Sequence, residues 1–227
     1  MNYLTSLVKW AVILSLALIT YSISWAQVVY TTVSKDQGID HSMYSKIQGS
    51  PYFYEVWQKA KIIDPKGDTY NEIALNYNGF TKQLELKKDE IIKPLADGTF
   101  LKVFVQGEYS NESFLKYIHP AFGNSIVCVS YDGKHIKLIK KFEVNLQESG
   151  THMPGYPSGF NKFVRRLEYY LMANDNVYPI SLRKKKVIKV LGHDSEIEQY
   201  LKDQNFTLKT EDELIQLLKY YEANLFQ

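Results

Sequence analysis

The residues best able to do chemistry are few and scattered. The chain has one cysteine, Cys128, and five histidines that are spread singly along it. No histidine stands at metal-ligand spacing from another His, from Cys or from paired carboxylates. The sequence also lacks a G-x-S-x-G nucleophile elbow, a Walker phosphate-binding loop and a dinucleotide fingerprint. We therefore predict no cofactor and no metal, and we favour a non-enzymatic protein over one with a catalytic site assembled from distant positions.

The single cysteine lies within the apolar run from Ile126 to Val129. A nucleophilic or metal-binding thiol is one interpretation, and a small hydrophobic side chain buried in a strand is the other. No His-containing motif accompanies Cys128, so we favour the buried side chain. One cysteine cannot form an internal disulfide, so the fold must be held together by its core.

A loop rich in glycine and proline, residues 147–161, is the strongest candidate for binding. Such a stretch cannot join a central strand. Met153, Tyr156 and Phe160 within it have no regular element to bury them. A binding loop and a surface connection packed on its own sheet both fit this composition. These three side chains are our candidate residues for binding a ligand or partner.

A second aromatic group, Tyr52, Phe53 and Tyr54, follows the turn signal at Gly49–Pro51. It could serve as a platform for a ligand or as a plug that fills the core beneath a sheet. We favour the plug. Nucleic acid is an unpromising partner, because the net charge is only +2 and three of the 27 basic residues are arginine.

Residues 1–26 have the pattern of a secretory signal peptide. Lys9 is their only charge, an apolar run covers residues 11–19, and small residues at positions 24 and 26 predict cleavage between Ala26 and Gln27. An uncleaved anchor is the alternative, but polar residues interrupt the run before the about 20 apolar residues that a span needs. We expect a periplasmic or secreted protein that is not integral to the membrane after cleavage.

Period-two alternation over residues 56–105 predicts four or five short antiparallel strands with one buried and one wet face. The turn signals are Asp64–Asp68, Asn78-Gly79 and Asp97-Gly98, of which the last two are predicted to be two-residue type I′ hairpin turns. A further hairpin is predicted across Asp132-Gly133. Its second arm places Lys140 in an apolar row, which predicts a bulge or a strand end there.

The last predicted hairpin joins residues 163–172 to a short return arm at 177–180. Beyond it the period changes to that of helices. The pattern predicts one helix over residues 184–191, a second that begins at Asp194, and a third that begins with the capping box Thr210–Glu213. The third carries an apolar stripe that must be buried on the β domain; the stripe consists of Leu214, Leu217, Leu218 and Tyr221.

These patterns predict a mainly β fold of the α+β class: an antiparallel β-meander, as a curved sheet or a sandwich, with a small C-terminal helical appendage. The predicted divisions are a signal peptide at 1–26, an N-terminal extension at 27–48, an antiparallel β domain at 49–180 and the helical appendage at 181–227.

Several short motifs follow one another along the chain, namely Gly49–Tyr52, Leu75–Asn78, Leu84–Leu86, Tyr169-Tyr170 and Leu214–Tyr221. Together with the signal peptide, they resemble a group of uncharacterised exported β-rich proteins common in the Bacteroidota, over most of residues 49–225. The resemblance implies an exported compartment and this architecture, and it carries no activity. Glu222 stands where that pattern has Asn, at what the sequence indicates is an exposed end.

We therefore expect an exported, non-enzymatic binding or accessory protein of the periplasm or cell envelope. A curved sheet with Tyr and Phe on its concave face suits a lipid or an extended peptide, and the partner could also be an envelope protein. The alternative is an enzyme, such as a hydrolase, with an unrecognised site in the β domain. An apolar groove or an open sheet edge would favour binding, and a pocket of converging titratable groups would favour the enzyme.

The first testable prediction concerns export. Mass spectrometry of the native protein should find Gln27, free or cyclised, at the N-terminus, because the small residues at positions 24 and 26 suit signal peptidase. An intact N-terminus at Met1 or Asn2 on membrane-bound protein would contradict the cleavage.

Overall fold

The computed structural model describes residues 41–106, 111–148 and 161–225. These residues form ten strands in one antiparallel sheet, followed by three α-helices, with a short 3-10 helix (His41–Lys46) before the first strand. The strands are β1 (Gln58–Ile63), β2 (Thr69–Asn78), β3 (Gln83–Lys88), β4 (Ile91–Pro94), β5 (Lys102–Gln106), β6 (Asn111–His119), β7 (Gly123–Asp132), β8 (Ile136–Gln147), β9 (Lys162–Ala173) and β10 (Asn176–Ile180). The helices are α1 (Lys184–Leu191), α2 (Asp194–Asp203) and α3 (Glu211–Asn224).

The strand order is β10-β9-β8-β7-β6-β5-β1-β2-β3-β4, and the sheet is open. Hairpins connect most neighbours, but β1 lies between β5 and β2, so the chain crosses back between β4 and β5. β8 and β2 are far apart in this order, yet the backbone N–H of Val144 in β8 donates to the carbonyl of Gly79, just beyond the end of β2, at 3.1 Å. The sheet must therefore be strongly curved. The predicted mainly β class with C-terminal helices is confirmed, as a single curved sheet.

Two cores share the inner face of the sheet. Alternate residues of β8 point to this face; Ile136 and Leu138 belong to a core beneath the three helices, whereas Phe142 and Val144 belong to a core enclosed by the curved sheet. Lys140 lies between them on the same strand. The outer face is not uniformly wet, because it carries a smaller apolar cluster around Phe122, Val127, Val129 and Ile139.

The predicted type I′ turn at Asn78-Gly79 is wrong. β2 continues through Asn78, a four-residue loop follows at 79–82, and Lys82 rather than Gly79 has a positive φ, at 58°. Gly79 is needed for space instead, because a Cβ there would lie 2.6 Å from a ring carbon of Phe142. The Asp97-Gly98 prediction is also wrong, since these residues lie between β4 and β5, which do not pair with each other.

Other turn predictions hold. The segment Asp64–Asp68 joins β1 to β2, and the carboxylate of Asp64 accepts the N–H groups of Lys66 and Asp68, each at 2.9 Å. Asn174 and Asp175, between β9 and β10, both have positive φ, as a two-residue type I′ turn requires. The bulge predicted at Lys140 is wrong for β8, which runs unbroken. The irregularity lies in β7 instead, between Val129 and Tyr131.

The helical appendage is as predicted, and its apolar stripe from Leu214 to Tyr221 is buried. Thr210 caps α3 by accepting the N–H of Glu213 at 3.3 Å. The reciprocal half of the capping box differs, because the Glu213 carboxylate accepts the N–H of Lys209 at 3.1 Å. Among the helices within the described ranges, none is long and apolar enough to span a membrane.

The prediction of an exposed end at Glu222 is wrong. Its carboxylate accepts the backbone N–H groups of His135 at 2.6 Å and Ile136 at 2.9 Å, and the Tyr131 hydroxyl at 2.7 Å. Burial raises the pKa of Glu222, but these hydrogen bonds outweigh burial and hold it below its ordinary value. The C-terminal part of α3 is therefore fastened to the turn between β7 and β8.

The second testable prediction concerns this packing. Leu218 is fully buried in the helix core, so Leu218→Asp should lower the free energy of unfolding by about 2–4 kcal/mol, because it buries an unpaired carboxylate. The control is Gln216→Asp on the exposed side of the same helix, which should change stability by less than about 0.5 kcal/mol. Equal midpoints for the two variants in urea unfolding would contradict the docked arrangement.

Candidate functional site

The binding residues predicted from the sequence, Met153, Tyr156 and Phe160, lie outside the described residues, as do Ala26 and Gln27 at the predicted cleavage point. Predictions on both therefore stay predictions. Cys128 is 2% exposed and has no disulfide partner. Burial raises the pKa of its thiol well above the ordinary value, which disfavours the reactive thiolate and fits a buried strand residue.

The aromatic group at 52–54 acts as a plug. The Phe53 ring makes edge-to-face contacts with Phe114 and Phe142, at centroid distances of 5.6 and 5.2 Å, and Tyr54 packs on Phe114 at 6.1 Å. This segment crosses the concave side of the sheet and fills it with side chains. Phe53 and Tyr54 thus pack against the core enclosed by the curved sheet.

A buried charge cluster surrounds Lys140, which is 5% exposed. Its ammonium forms ion pairs with Glu112 of β6 and with Glu211, the first residue of α3, the latter at 2.9 Å. The Tyr54 hydroxyl donates to the Glu112 carboxylate, and the Tyr169 hydroxyl donates to that of Glu211 at 3.1 Å. Each carboxylate therefore accepts hydrogen bonds from the ammonium and from one tyrosine.

The protonation states in this cluster favour a structural role. Burial alone lowers the pKa of the Lys140 ammonium, but the surrounding negative charges outweigh burial and raise it above the ordinary value. Burial, followed by nearby negative charge, raises the pKa of the Tyr54 hydroxyl. At neutral pH the lysine stays protonated and the tyrosine and thiol stay neutral. None of these groups is prepared to act as a nucleophile or a general base.

A second buried carboxylate, Glu85 of β3, alternates with Leu84 and Leu86, so the period-two pattern predicts it on the wet face of the strand. It is fully buried and accepts hydrogen bonds from the Tyr52 hydroxyl and the Asn78 side-chain amide, both at 2.8 Å. Burial raises the pKa of Glu85, and the hydrogen bonds only partly offset this. The wet-face prediction fails here because the segment carrying Tyr52 covers the strand.

A cleft of about 660 Å³ lies between α3 and strands β5–β7. Its charged side chains include Asp132, which pairs with Lys102 at 2.9 Å and also with Lys137. Burial raises the pKa of Asp132, but its two lysine partners outweigh this and lower it, which makes a weak general base. In the described parts of the chain, no group of three His, Cys, Asp or Glu side chains could hold a metal ion.

The most unusual backbone feature is an open stretch of β9. This strand pairs with β8 along its whole length, Lys162 to Ala173, but β10 covers only Tyr169 to Ala173. At the other end, Gln48 forms a parallel bridge to Lys162. On the side of β9 away from β8, no strand among the described residues pairs with the residues between, Val164–Glu168, which are called the open edge below.

The direction of the backbone groups on this edge follows from the register. Neighbouring residues of an antiparallel strand direct their N–H and C=O groups alternately to the two sides. Pro179 of β10 has no N–H and lies opposite Tyr170, so the odd-numbered residues of β9 are those that face β10. The N–H of Phe163 agrees with this assignment, because it donates to the Gln48 carbonyl at 2.9 Å on the same side.

The backbone N–H and C=O groups of Arg165 and Leu167 therefore point away from β8 at the open edge. They have no partner in residues 41–106, 111–148 or 161–225. The side chains here are also exposed: Val164 on the outer face by 42% and Leu167 on the inner face by 44%. Unpaired backbone groups beside exposed apolar side chains are a template for another strand.

A groove of about 340 Å³ adjoins the open edge on the inner face. Its walls are Phe53, Phe142, Arg165 and Leu167. The Arg165 guanidinium lies 5.2 Å from the centroid of the Phe142 ring and donates to the Phe53 carbonyl at 3.1 Å. The groove thus has an apolar floor and one cationic wall.

The outermost strands of the sheet are protected in a way that the open edge is not. β4 has four residues and ends in Pro94, and β10 has five residues and contains Pro179. Short strands and prolines discourage the pairing of a further strand. The open edge has no proline between Val164 and Glu168. It is therefore less protected against pairing with another strand than β4 and β10 are.

Sequence reasoning missed the open edge, although a signal for it existed. The predicted strand at 163–172 is much longer than its predicted return arm at 177–180, and this difference leaves part of the longer strand uncovered. Comparisons of the chain with protein-family models, with curated proteins and with solved structures found no match.

The third testable prediction concerns the Lys140 cluster. Lys140→Met leaves two partly or fully buried carboxylates without their cation and should lower the free energy of unfolding by about 3–5 kcal/mol. Adding Glu112→Gln to this variant should restore part of the loss, because it removes one uncompensated charge. The control Lys141→Met, which breaks a pair with Glu143, should cost less than about 1 kcal/mol. Similar losses for the two lysine variants in denaturant unfolding would contradict the cluster's role.

The fourth testable prediction concerns pH. The folded protein holds the Glu85 proton to higher pH than the unfolded chain does, because the folded pKa is raised above 4.5. The stability from this group is therefore full below the unfolded pKa and is lost as pH rises through the folded pKa. Glu85→Gln lacks that loss, so urea unfolding should show the variant gaining on the wild type as pH rises. A difference in unfolding free energy between the two proteins that does not change as pH rises above 4.5 would contradict the raised pKa of Glu85.

Proposed function

We propose that the mature protein is an exported, non-enzymatic binding protein of the periplasm or cell envelope that takes up an extended polypeptide segment as an added strand along β9. The observation that carries the proposal is the open edge, where the backbone groups of Arg165 and Leu167 are directed outward and have no partner among the described residues. Strand addition uses such groups for affinity and neighbouring pockets for specificity.

The other parts of the site agree with a peptide better than with a lipid or a substrate. The groove beside Leu167 can accept an apolar side chain from the inner-facing side of an added strand. A lipid chain requires a longer apolar cavity, and the aromatic plug around Phe53 fills the inner face where such a cavity would lie. The buried clusters at Lys140 and Glu85 hold their protons in states that suit structure, so they give the hydrolase alternative no support.

The fifth testable prediction removes one backbone donor from the open edge. Leu167→Pro deletes an N–H that points away from β8, so the β8–β9 ladder should remain intact. The control Leu167→Val keeps the N–H and changes only the side chain. A library of eight-residue peptides displayed on phage and selected on the wild-type protein should yield peptides that bind Leu167→Val but bind Leu167→Pro at least about tenfold more weakly, as expected when backbone hydrogen bonds are lost.

A second measurement identifies the mode of binding. N-methylation of each backbone nitrogen of a selected peptide in turn should abolish binding at alternate positions, because only every second N–H of an added strand faces β9. Circular dichroism should show that both Leu167 variants keep the fold. Selected peptides that bind both variants alike and tolerate methylation without a period of two would contradict strand addition, as would a library that yields no binder.

A further inference from the structure

The open edge limits how long a guest strand can be. The position that a guest strand would take beside the outward side of β9 is called the lane. Gln48 occupies the lane at Lys162 and Phe163, and Ile180 occupies it opposite Tyr169. Five residues lie between these limits, which at about 3.4 Å per residue allow a strand of roughly 17 Å. A guest that fits this lane is a short segment, either the end of a chain or a stretch that leaves the sheet at both sides.

The open edge itself contains two cations, Arg165 and Arg166, and their partners differ. Arg166 pairs with Glu168 at 2.6 Å, and Lys141 pairs with Glu143 at 3.1 Å. Lys140 is neutralised by its two carboxylates. Arg165 has no carboxylate partner within the described ranges, although its guanidinium is held in place by the Phe53 carbonyl and the Phe142 ring.

This arrangement prepares Arg165 for an anion. Its planar guanidinium presents five N–H donors, of which one is used by the Phe53 carbonyl, and its Cζ lies over the Phe142 ring, 5.2 Å from the ring centroid. A carboxylate is the peptide group that matches such a donor set in two-point geometry. The adjacent Leu167 and Phe142 offer an apolar surface for a neighbouring side chain on the same face of the guest.

We infer that the guest strand carries a carboxylate that Arg165 binds, beside an apolar side chain that enters the groove. The inference rests on the proposed function, since it names the class of peptide taken by the same edge. Two sources can supply the carboxylate, namely the C-terminus of a chain and an Asp or Glu side chain. Both present the same chemistry to the guanidinium, so matched peptides are needed to separate them.

The test uses a pool of N-acetylated five-residue peptides made in matched forms: with a free C-terminal carboxylate or an amide, and with Glu or Gln at the same positions. Peptides retained by immobilised protein are counted by mass spectrometry. Wild-type protein should retain a carboxylate form about tenfold more strongly than its neutral match, as expected for a charge-assisted hydrogen bond. Arg165→Gln should remove this preference and retain neutral forms as well as the wild type does. Arg166→Gln, on the outer face, should keep the preference.

The outcomes separate the inference from the function on which it rests. A preference for free acid over amide, without preference for Glu over Gln, assigns the carboxylate to a chain end, and the reverse assigns it to a side chain. Equal retention of charged and neutral forms by wild type, lost in Leu167→Pro, overturns the role of Arg165 and leaves strand addition standing. Retention by wild type that nowhere exceeds that of Leu167→Pro overturns both. A carboxylate preference that persists in Arg165→Gln overturns the inference alone.

Discussion

The rest of the structure depends on the buried ion pairs that the Lys140 ammonium forms with the carboxylates of Glu112 and Glu211. A buried cation is tolerated only with compensating charge and hydrogen bonds. One carboxylate comes from the sheet and the other from the first turn of α3, where negative charge is also favoured by the helix dipole. The helix must therefore place Glu211 over β8. Its far end is fixed as well, because the Glu222 carboxylate binds the turn between β7 and β8.

This constraint divides the inner face of the sheet into two parts, each covered by a different segment of the chain. The helices cover the part of β9 near Leu171, and the segment that contains Gln48 and the aromatic plug covers the part near Phe163. The open edge lies in the interval between Gln48 and the end of β10, where no described strand pairs with the outward side of β9. The last residue of β9 that β10 covers, Tyr169, lies opposite Lys140 of β8, so the open edge begins beside the charge cluster.

Local patterns in the sequence were sufficient to predict most strands and all three helices, because alternation, turn residues and caps act over a few positions. Features that depend on distant partners could not be predicted in this way. From the sequence alone, Lys140 interrupts an apolar row; its pairing with Glu211, 71 positions later, is visible only in the structure. Gly79 reads as a turn glycine, but it is required by the approach of Phe142. Glu85 reads as exposed until Tyr52 covers it. The candidate loop residues Tyr156 and Phe160 came from composition alone. The open edge follows from the unequal lengths of β9 and β10, which alternation indicated but which became meaningful only once the pairing was known.

The most direct test of the account is backbone amide hydrogen exchange, measured residue by residue by NMR, along β9 with and without a bound peptide. In the free protein the amides of Arg165 and Leu167 should exchange fast, whereas those of Val164, Arg166 and Glu168, which face β8, should be protected. Binding of an extended peptide should protect Arg165 and Leu167 and leave their even-numbered neighbours unchanged. Protection of Arg165 and Leu167 already in the free protein, or exchange at these two amides that does not change on binding, would contradict strand addition at this edge.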